Sequence, residues 1–232
     1  DGRSFCLDSH DRFPEHAVRK IGAPPAFPHC AKGDAYKNMT LQFLHVSKAF
    51  ASLSVLQDFS FSFEAGNSYC LMGPSGCGKS TLLRLACGLL QPDSGYITGT
   101  ENHFSYVFQE NRLLPWYTAR QNIELVCRRR SADYWLDAVG LKAFADALPE
   151  TLSGGMRRRI ALARALAADG HIYLFDEPFT GLDTERREEI IALIHQYTTG
   201  YLCLYTSHDP LEAEKVADQV LNFSGPPLQF LF

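Results

Sequence analysis

The residues Gly73-Pro74-Ser75-Gly76-Cys77-Gly78-Lys79-Ser80 carry the most legible chemistry in this chain. Their spacing is a glycine, four residues, then Gly-Lys-Ser. The glycines let the backbone curl until successive N–H groups point inward, which forms a nest for phosphate oxygens. Lys79 brings a compact positive charge to the terminal phosphates of a nucleotide. Ser80, followed by Thr81, offers a hydroxyl to Mg²⁺. A short apolar strand, Tyr69-Cys70-Leu71-Met72, is expected to lead into the loop, and a helix is expected over Ser80 to Leu90. The positive N-terminal end of that helix faces the anion. The expected ligand is ATP with Mg²⁺.

A second cluster suits the same ligand. Ile172-Tyr173-Leu174-Phe175-Asp176-Glu177 reads as a buried strand that ends in two acids. Asp176 at its tip is placed to hold Mg²⁺, and Glu177 to accept a proton from an attacking water. The alternative reading of the pair, two solvated loop acids, loses weight because the phosphate loop lies in the same chain.

These residues need a frame. Phe59 to Phe63 alternates apolar and polar residues, as a half-buried strand does. Strands are also expected at Phe104–Phe108 and Leu202–Tyr205, and helices over Ala119–Gly140 (with a break near Arg130), Gly154–Ala168 and Glu185–Tyr197. Alternating strands and helices imply an α/β fold with a mostly parallel sheet covered on both faces. Residues 1–38 have mixed charge, the proline-rich stretch Ala23–Pro28 and no periodicity, and are expected to be a largely disordered extension, with Met39 as a candidate start.

Bulk properties exclude several classes. The net charge of -4 gives no global basic field for nucleic acid. The longest apolar runs, such as Ile160–Ala168, are interrupted and too short to span a bilayer, and no secretory leader is evident at the start. Seven scattered cysteines without a CxxC pair argue against a disulfide framework or a zinc site and for a reducing compartment. A cytoplasmic protein is expected.

The order of these motifs resembles the ATP-binding-cassette (ABC) family of transporter ATPases, over about Met39 to Phe223. Its most specific carrier is Leu152-Ser153-Gly154-Gly155-Met156-Arg157-Arg158-Arg159, similar to the family signature with Met156 where glutamine is commoner. The resemblance implies a P-loop NTPase fold over 39–232, with a small antiparallel β part and an inserted helical subdomain at about 110–158. It implies that Ser153, Gly154 and Gly155 close on the γ-phosphate held by a second subunit, so that the active form is a head-to-tail dimer sharing two ATPs. A plain helix N-cap is the alternative for Ser153. Single positions follow the same resemblance. Phe50 matches the aromatic that stacks on adenine, or else is a core aromatic. Gln109 matches the residue that senses Mg²⁺ and the attacking water, or else is a solvated polar residue at a strand end. Asp183, in Gly181-Leu182-Asp183, lies in the loop that crosses the dimer, or in a simple turn before a helix. His208 matches the switch histidine at the γ-phosphate, or else is structural.

The segment Val107-Phe108-Gln109-Glu110-Asn111-Arg112-Leu113-Leu114-Pro115-Trp116 is similar to that of importer ATPases for nitrate, sulfonate, taurine and related solutes, which usually have proline where Asn111 stands. In such importers this region receives a short coupling helix of the transmembrane permease, which in turn meets a solute-binding protein. That implies a peripheral position on the inner face of the membrane. Leu113, Leu114, Trp116 and Tyr117 either supply an apolar surface patch or fill the helical core. Two departures are expected to make the cassette compact. Few residues separate Ile97 from Phe104, and Ser224-Gly225-Pro226-Pro227 reads as a terminator that leaves no room for a regulatory C-terminal domain. A soluble cassette ATPase and a weakly active ATP-binding interaction protein are the rival functions. Such soluble ATPases usually carry two cassettes or a long coiled-coil insertion, and neither is evident. The intact Asp176–Glu177 pair opposes the interaction protein.

Overall fold

A computed structural model describes residues 40–231. The expected N-terminal extension and Met39 lie outside the described residues.

Two sheets organise the chain. The first is antiparallel, with β1 (Leu41–Phe50) between β2 (Leu53–Phe63) and β4 (Ser94–Thr98). The second has the order β5-β6-β7-β3-β8-β9, from β5 (Phe104–Val107), β6 (Ile172–Asp176), β7 (Leu202–Ser207), β3 (Ser68–Met72), β8 (Gln219–Ser224) and β9 (Gln229–Phe230). It is parallel except for β9, which turns back against β8. Helix α1 (Lys79–Ala86) follows β3. Between β5 and β6 the chain is helical, with α2 (Ala119–Glu124), α3 (Ala132–Ala138), single 3-10 turns at Lys142–Phe144 and Pro149–Thr151, and α4 (Gly154–Ala167). α5 (Thr184–Thr198) and α6 (Pro210–Val216) flank β7.

The period of two along each buried strand divides the core into two layers. Ile172 and Leu174 of β6, with Leu202 and Leu204 of β7, face α1 and the antiparallel sheet. Tyr173 and Phe175, with Cys203 and Tyr205, face α4 and α5. Strands this evenly apolar are stable only when helices or a second sheet cover both faces.

The structure corrects some expectations from the sequence and bears out others. α1 ends at Ala86 rather than Leu90, because Cys87 to Leu90 turn back with Leu90 N–H donating to the Arg84 carbonyl. The Ala119–Gly140 region is two helices with the expected break across Arg130, each started by its own cap: Thr118 with Gln121 as a capping box, and Ser131 on Tyr134 N–H. The strand at Phe59–Phe63 begins earlier, at Leu53. β4, α6, β8 and β9 had no expected counterpart. The Gly225–Pro227 turn is not a terminator, since β9 follows it and Phe230 packs on Phe59, Phe61 and Phe223. Past Ile97 the chain makes a tight turn, with Asn102 donating twice to the Gly99 carbonyl, and the antiparallel sheet has three strands.

Candidate functional site

The C-terminal ends of β3, β6 and β7 lie side by side, and the predicted chemistry converges there. The phosphate loop runs from the end of β3 into α1. Gly78 occupies the N-cap with φ 119°, and no side chain caps the helix. Every other α-helix among the described residues has a side-chain cap: Thr118, Ser131, Ser153, Asp183 and Asp209. The N–H groups of α1 are therefore left for an anion. The loop also rests on a close floor. A Cβ on Gly73 would lie 2.6 Å from the Phe223 carbonyl oxygen, and one on Gly78 would lie 2.9 Å from Val55 Cγ1. Glycine is required at both positions because neighbouring strands fill the space. Pro74 and Cys77 shape the turn, with Cys77 N–H donating to the Pro74 carbonyl. Ser75 and Gly76 are exposed at its crest. Lys79, almost buried, folds back to donate to the carbonyls of Gly73 (2.7 Å) and Pro74 (2.9 Å).

Asp176 is 1% exposed at the tip of β6. Its Oδ1 accepts from the hydroxyls of Ser80 (2.9 Å) and Thr206 (2.8 Å), and Tyr106 Oη lies 3.5 Å from Oδ2. Burial, then the Asp176 charge, raise the Tyr106 phenol well above its ordinary pKa, so it stays a neutral donor. Among the described residues Asp176 forms no ion pair. A buried carboxylate whose side-chain oxygens meet only hydroxyls has no direct counter-charge, and a divalent cation beside Ser80 would supply one. Asp176 and Ser80 thus fit the expected Mg²⁺.

Glu177 follows in left-handed backbone, φ 48°, which costs a non-glycine residue about 1–3 kcal/mol. Thr206 holds it there, because its hydroxyl accepts from Glu177 N–H (2.9 Å) while donating to Asp176. Glu177 Oε2 receives the Thr180 hydroxyl at 3.4 Å, and Oε1 lies 3.9 Å from His208 Nδ1. His208 is largely exposed and faces the same opening.

The other expected residues are placed less uniformly. Gln109 is exposed just beyond β5, in the segment that passes the Asp176–Glu177 turn. Phe50 is 44% exposed at the end of β1, so it is not a core residue; Lys48 Nζ sits 5.7 Å from its ring centre. Ser153 and Asp183 both act as N-caps, accepting from Met156 N–H and Arg186 N–H. Gly154 has open space around it, whereas Gly155 lies against the Gly181 carbonyl. These residues and Asp183 share no contact with the phosphate loop in the described hydrogen bonds. The Leu113–Tyr117 segment divides between its two readings. Trp116 is 69% exposed, while Leu113 packs on the core and Leu114 and Tyr117 are half-buried. Buried Asn122 pins the segment by bonding Leu114 N–H and the carbonyls of Leu114, Tyr117 and Thr118. Thr206, Tyr106, Asn122 and Arg158 were missed by sequence reasoning. Arg158 alone had a signal, an arginine one turn before Leu162 on the apolar side of α4.

A family model described as ABC transporter matches residues 56–180. The chain belongs to the ABC transporter family. An aliphatic sulfonates import ATP-binding protein of Pseudomonas savastanoi pv. phaseolicola is 42% identical over 186 residues, 78% of this chain and 78% of that one. A nitrate import ATP-binding protein of Synechocystis sp. is 37% identical over 211 residues, 82% of this chain and 79% of that one. The dimeric structure of a bacterial ABC transporter cassette superposes with TM-score 0.73 at 25% identity, covering 82% of this chain and 96% of the other. A dimeric post-hydrolysis state bound to ADP and Pi gives TM-score 0.70 at 26% identity, covering 83% and 99%. The cassette fold and its ATPase chemistry, expected from the motif order, are borne out. Among the described residues no helix is long and apolar enough to cross a membrane.

Proposed function

We propose that this ABC cassette binds and hydrolyses ATP to energise import of a small oxyanionic solute, of the sulfonate or nitrate kind, through transmembrane permease subunits. The observation that carries the ATPase reading is the shared hydroxyl of Thr206, which fixes Asp176 and Glu177 together beside Ser80 and the uncapped start of α1. The identities to sulfonate and nitrate import proteins support the solute class.

In this reading Gly73 to Thr81 hold the phosphates, Phe50 stacks on adenine, and Gln109, Glu177 and His208 surround the γ-phosphate. Ser80, Asp176 and Gln109 would hold Mg²⁺, which would supply positive charge against the phosphate oxygens. Glu177 orients the attacking water and takes its proton. Lys79 exchanges its loop carbonyls for phosphate oxygens when nucleotide enters. Ser153, Gly154, Gly155 and Asp183 act on the ATP of a second copy, since none of them bonds to its own phosphate loop. The dimeric neighbours support that pairing. Residues 39–232 form the cassette, the helical part at about 110–158 meets the permease with Trp116 on its surface, and the solute-binding protein acts only through the permease. Nucleic acid is not a partner in this reading. The subunit sits at the inner face of the membrane.

Glu177→Gln tests it. The variant should bind ATP, accumulate as a dimer in size-exclusion chromatography with ATP and Mg²⁺, and lose steady-state phosphate release. Undiminished release in that variant refutes Glu177 as the base.

A further inference from the structure

Arg158 is the largest fully buried side chain of the described protein, at 2% exposure. It sits in the first turn and a half of α4, one residue beyond Arg157, and points inward between two loops. No carboxylate lies within ion-pair distance of it among the described residues. Its guanidinium donates instead to main-chain carbonyls of two separate segments. Nε reaches Pro178 O (2.8 Å); one terminal nitrogen reaches Asp176 O (2.9 Å) and Glu177 O (2.5 Å). The other reaches Phe108 O (2.5 Å) and Gln109 O (3.3 Å), with Asn111 Oδ1 at 3.5 Å. Only the planar, five-donor fork of arginine can serve two segments at once in this way.

We infer that Arg158 is a positioning residue that joins the Gln109 loop, the Asp176–Glu177 turn and the start of α4 into one mechanical unit. A displacement of the 109–117 segment is thereby delivered to the Glu177 backbone, and to the helix that begins at Ser153. The inference rests on Glu177 being the base for ATP hydrolysis. Two further observations point the same way. Glu177 sits in strained backbone, so its side-chain direction depends on what grips its carbonyl and its N–H: Arg158 (2.5 Å) and Thr180 N–H (3.3 Å) hold the carbonyl, and Thr206 holds the N–H. The start of the Gln109 loop is itself packed, because Phe108 stacks on Tyr106 (4.0 Å between ring centres) and the Arg112 guanidinium lies 4.1 Å from its ring centre. Packed side chains and hydrogen bonds of this kind are what carry coupling between segments.

Arg164 provides the internal control. It lies on the same helix and holds the same loop, donating to Arg112 O (2.9 Å) and Asn111 O (3.1 Å), with no hydrogen bond to 176–178 among the described residues. The test uses the full chain with Arg158→Lys, Arg158→Met and Arg164→Met. Amide exchange by mass spectrometry should speed up in peptides covering both 108–112 and 176–180 in the Arg158 variants, and in 108–112 alone in Arg164→Met. ATP affinity, measured by fluorescent-nucleotide displacement, should stay near that of the native chain, while kcat falls about tenfold or more in Arg158→Met. Arg158→Lys, which keeps the charge but not the fork, should fall between. If Arg158→Met does not fold, Arg158→Lys carries the same two readouts. Native-like kcat in an Arg158 variant, unmoved exchange at 176–180, or kcat and affinity falling together with the folded fraction would overturn the inference. A native chain that hydrolyses no ATP, yet shows the exchange pattern, would sink the assignment of Glu177 and leave the linkage standing.

Discussion

Thr206→Val removes one hydroxyl and keeps the shape of a fully buried side chain. That hydroxyl makes two bonds. It donates to the Asp176 carboxylate at 2.8 Å and accepts from Glu177 N–H at 2.9 Å. A hydrogen bond to a charged group contributes about 1.5–3 kcal/mol, and leaving a buried N–H unpaired costs about 1–3 kcal/mol, so the loss centres on roughly 4 kcal/mol. For a domain of this size each kcal/mol moves the midpoint by about 2–4 °C, which puts the fall in Tm at roughly 8–16 °C. Thr206→Ser is the control. It gives up a buried methyl, worth about 1 kcal/mol, and keeps both bonds. Differential scanning fluorimetry without nucleotide should therefore rank native, then Thr206→Ser, then Thr206→Val. Phosphate release should follow the same order, since Glu177 loses the bond that holds its left-handed backbone. If Thr206→Val melts at or above Thr206→Ser, the hydroxyl does not bind the two acids together and the reasoning about the site fails.

Gly78→Ala should abolish nucleotide binding in a fluorescent-nucleotide titration, because φ is 119° and the new Cβ would lie 2.9 Å from Val55 Cγ1; Gly154→Ala, in open space, should leave thermal stability unchanged. Burial pushes the Cys70 and Cys203 thiols up to about 12 from an ordinary 9.0. These thiols bind protons more tightly when folded, so their contribution is fully present below pH 9 and is lost as pH rises from 9 towards 12. Each accounts for at most about 1.4 kcal/mol per pH unit, and urea midpoints should fall across pH 9–11 with a shallower slope in Cys203→Ala. Trp116→Ala should change stability by less than about 0.5 kcal/mol, since the ring is 69% exposed, but should reduce co-purification with the permease; unchanged co-purification would remove Trp116 from the docking surface.

Much of the site is legible in the sequence because its chemistry is local. The phosphate loop is eight contiguous residues whose backbone does the work, and the strand ahead of Asp176 announces itself as an unbroken apolar run. The helices are legible where a cap and a periodic face coincide, as in α4 and α5. β8 and β9 are not, because Gln219 to Phe223 alternates weakly and the proline pair resembles an end. Phe230 closes the aromatic cluster over Phe59 and Phe61, a contact between segments about 170 residues apart that no local pattern encodes. Phe50, Ser153 and Asp183 illustrate the converse. The family resemblance names them, yet within one chain the latter two act as helix caps, and the phosphate contact proposed for them needs a second copy.

By itself the sequence pointed to a phosphate loop and a pair of acids suited to a divalent cation, since each of those features is written in neighbouring residues. Tertiary structure decided how they are held. The strand order β6-β7-β3 brings Thr206 between Asp176 and Glu177, 30 and 29 residues away in the chain. Helix α4 brings Arg158 to carbonyls of two loops, one of them 50 residues upstream. Val55 and Phe223 floor the glycine loop from opposite ends of the described chain. Such partners are chosen by the packing of strands and helices, and a buried hydroxyl or guanidinium gains its role only when that packing excludes water and leaves it the carboxylate or carbonyls it must satisfy.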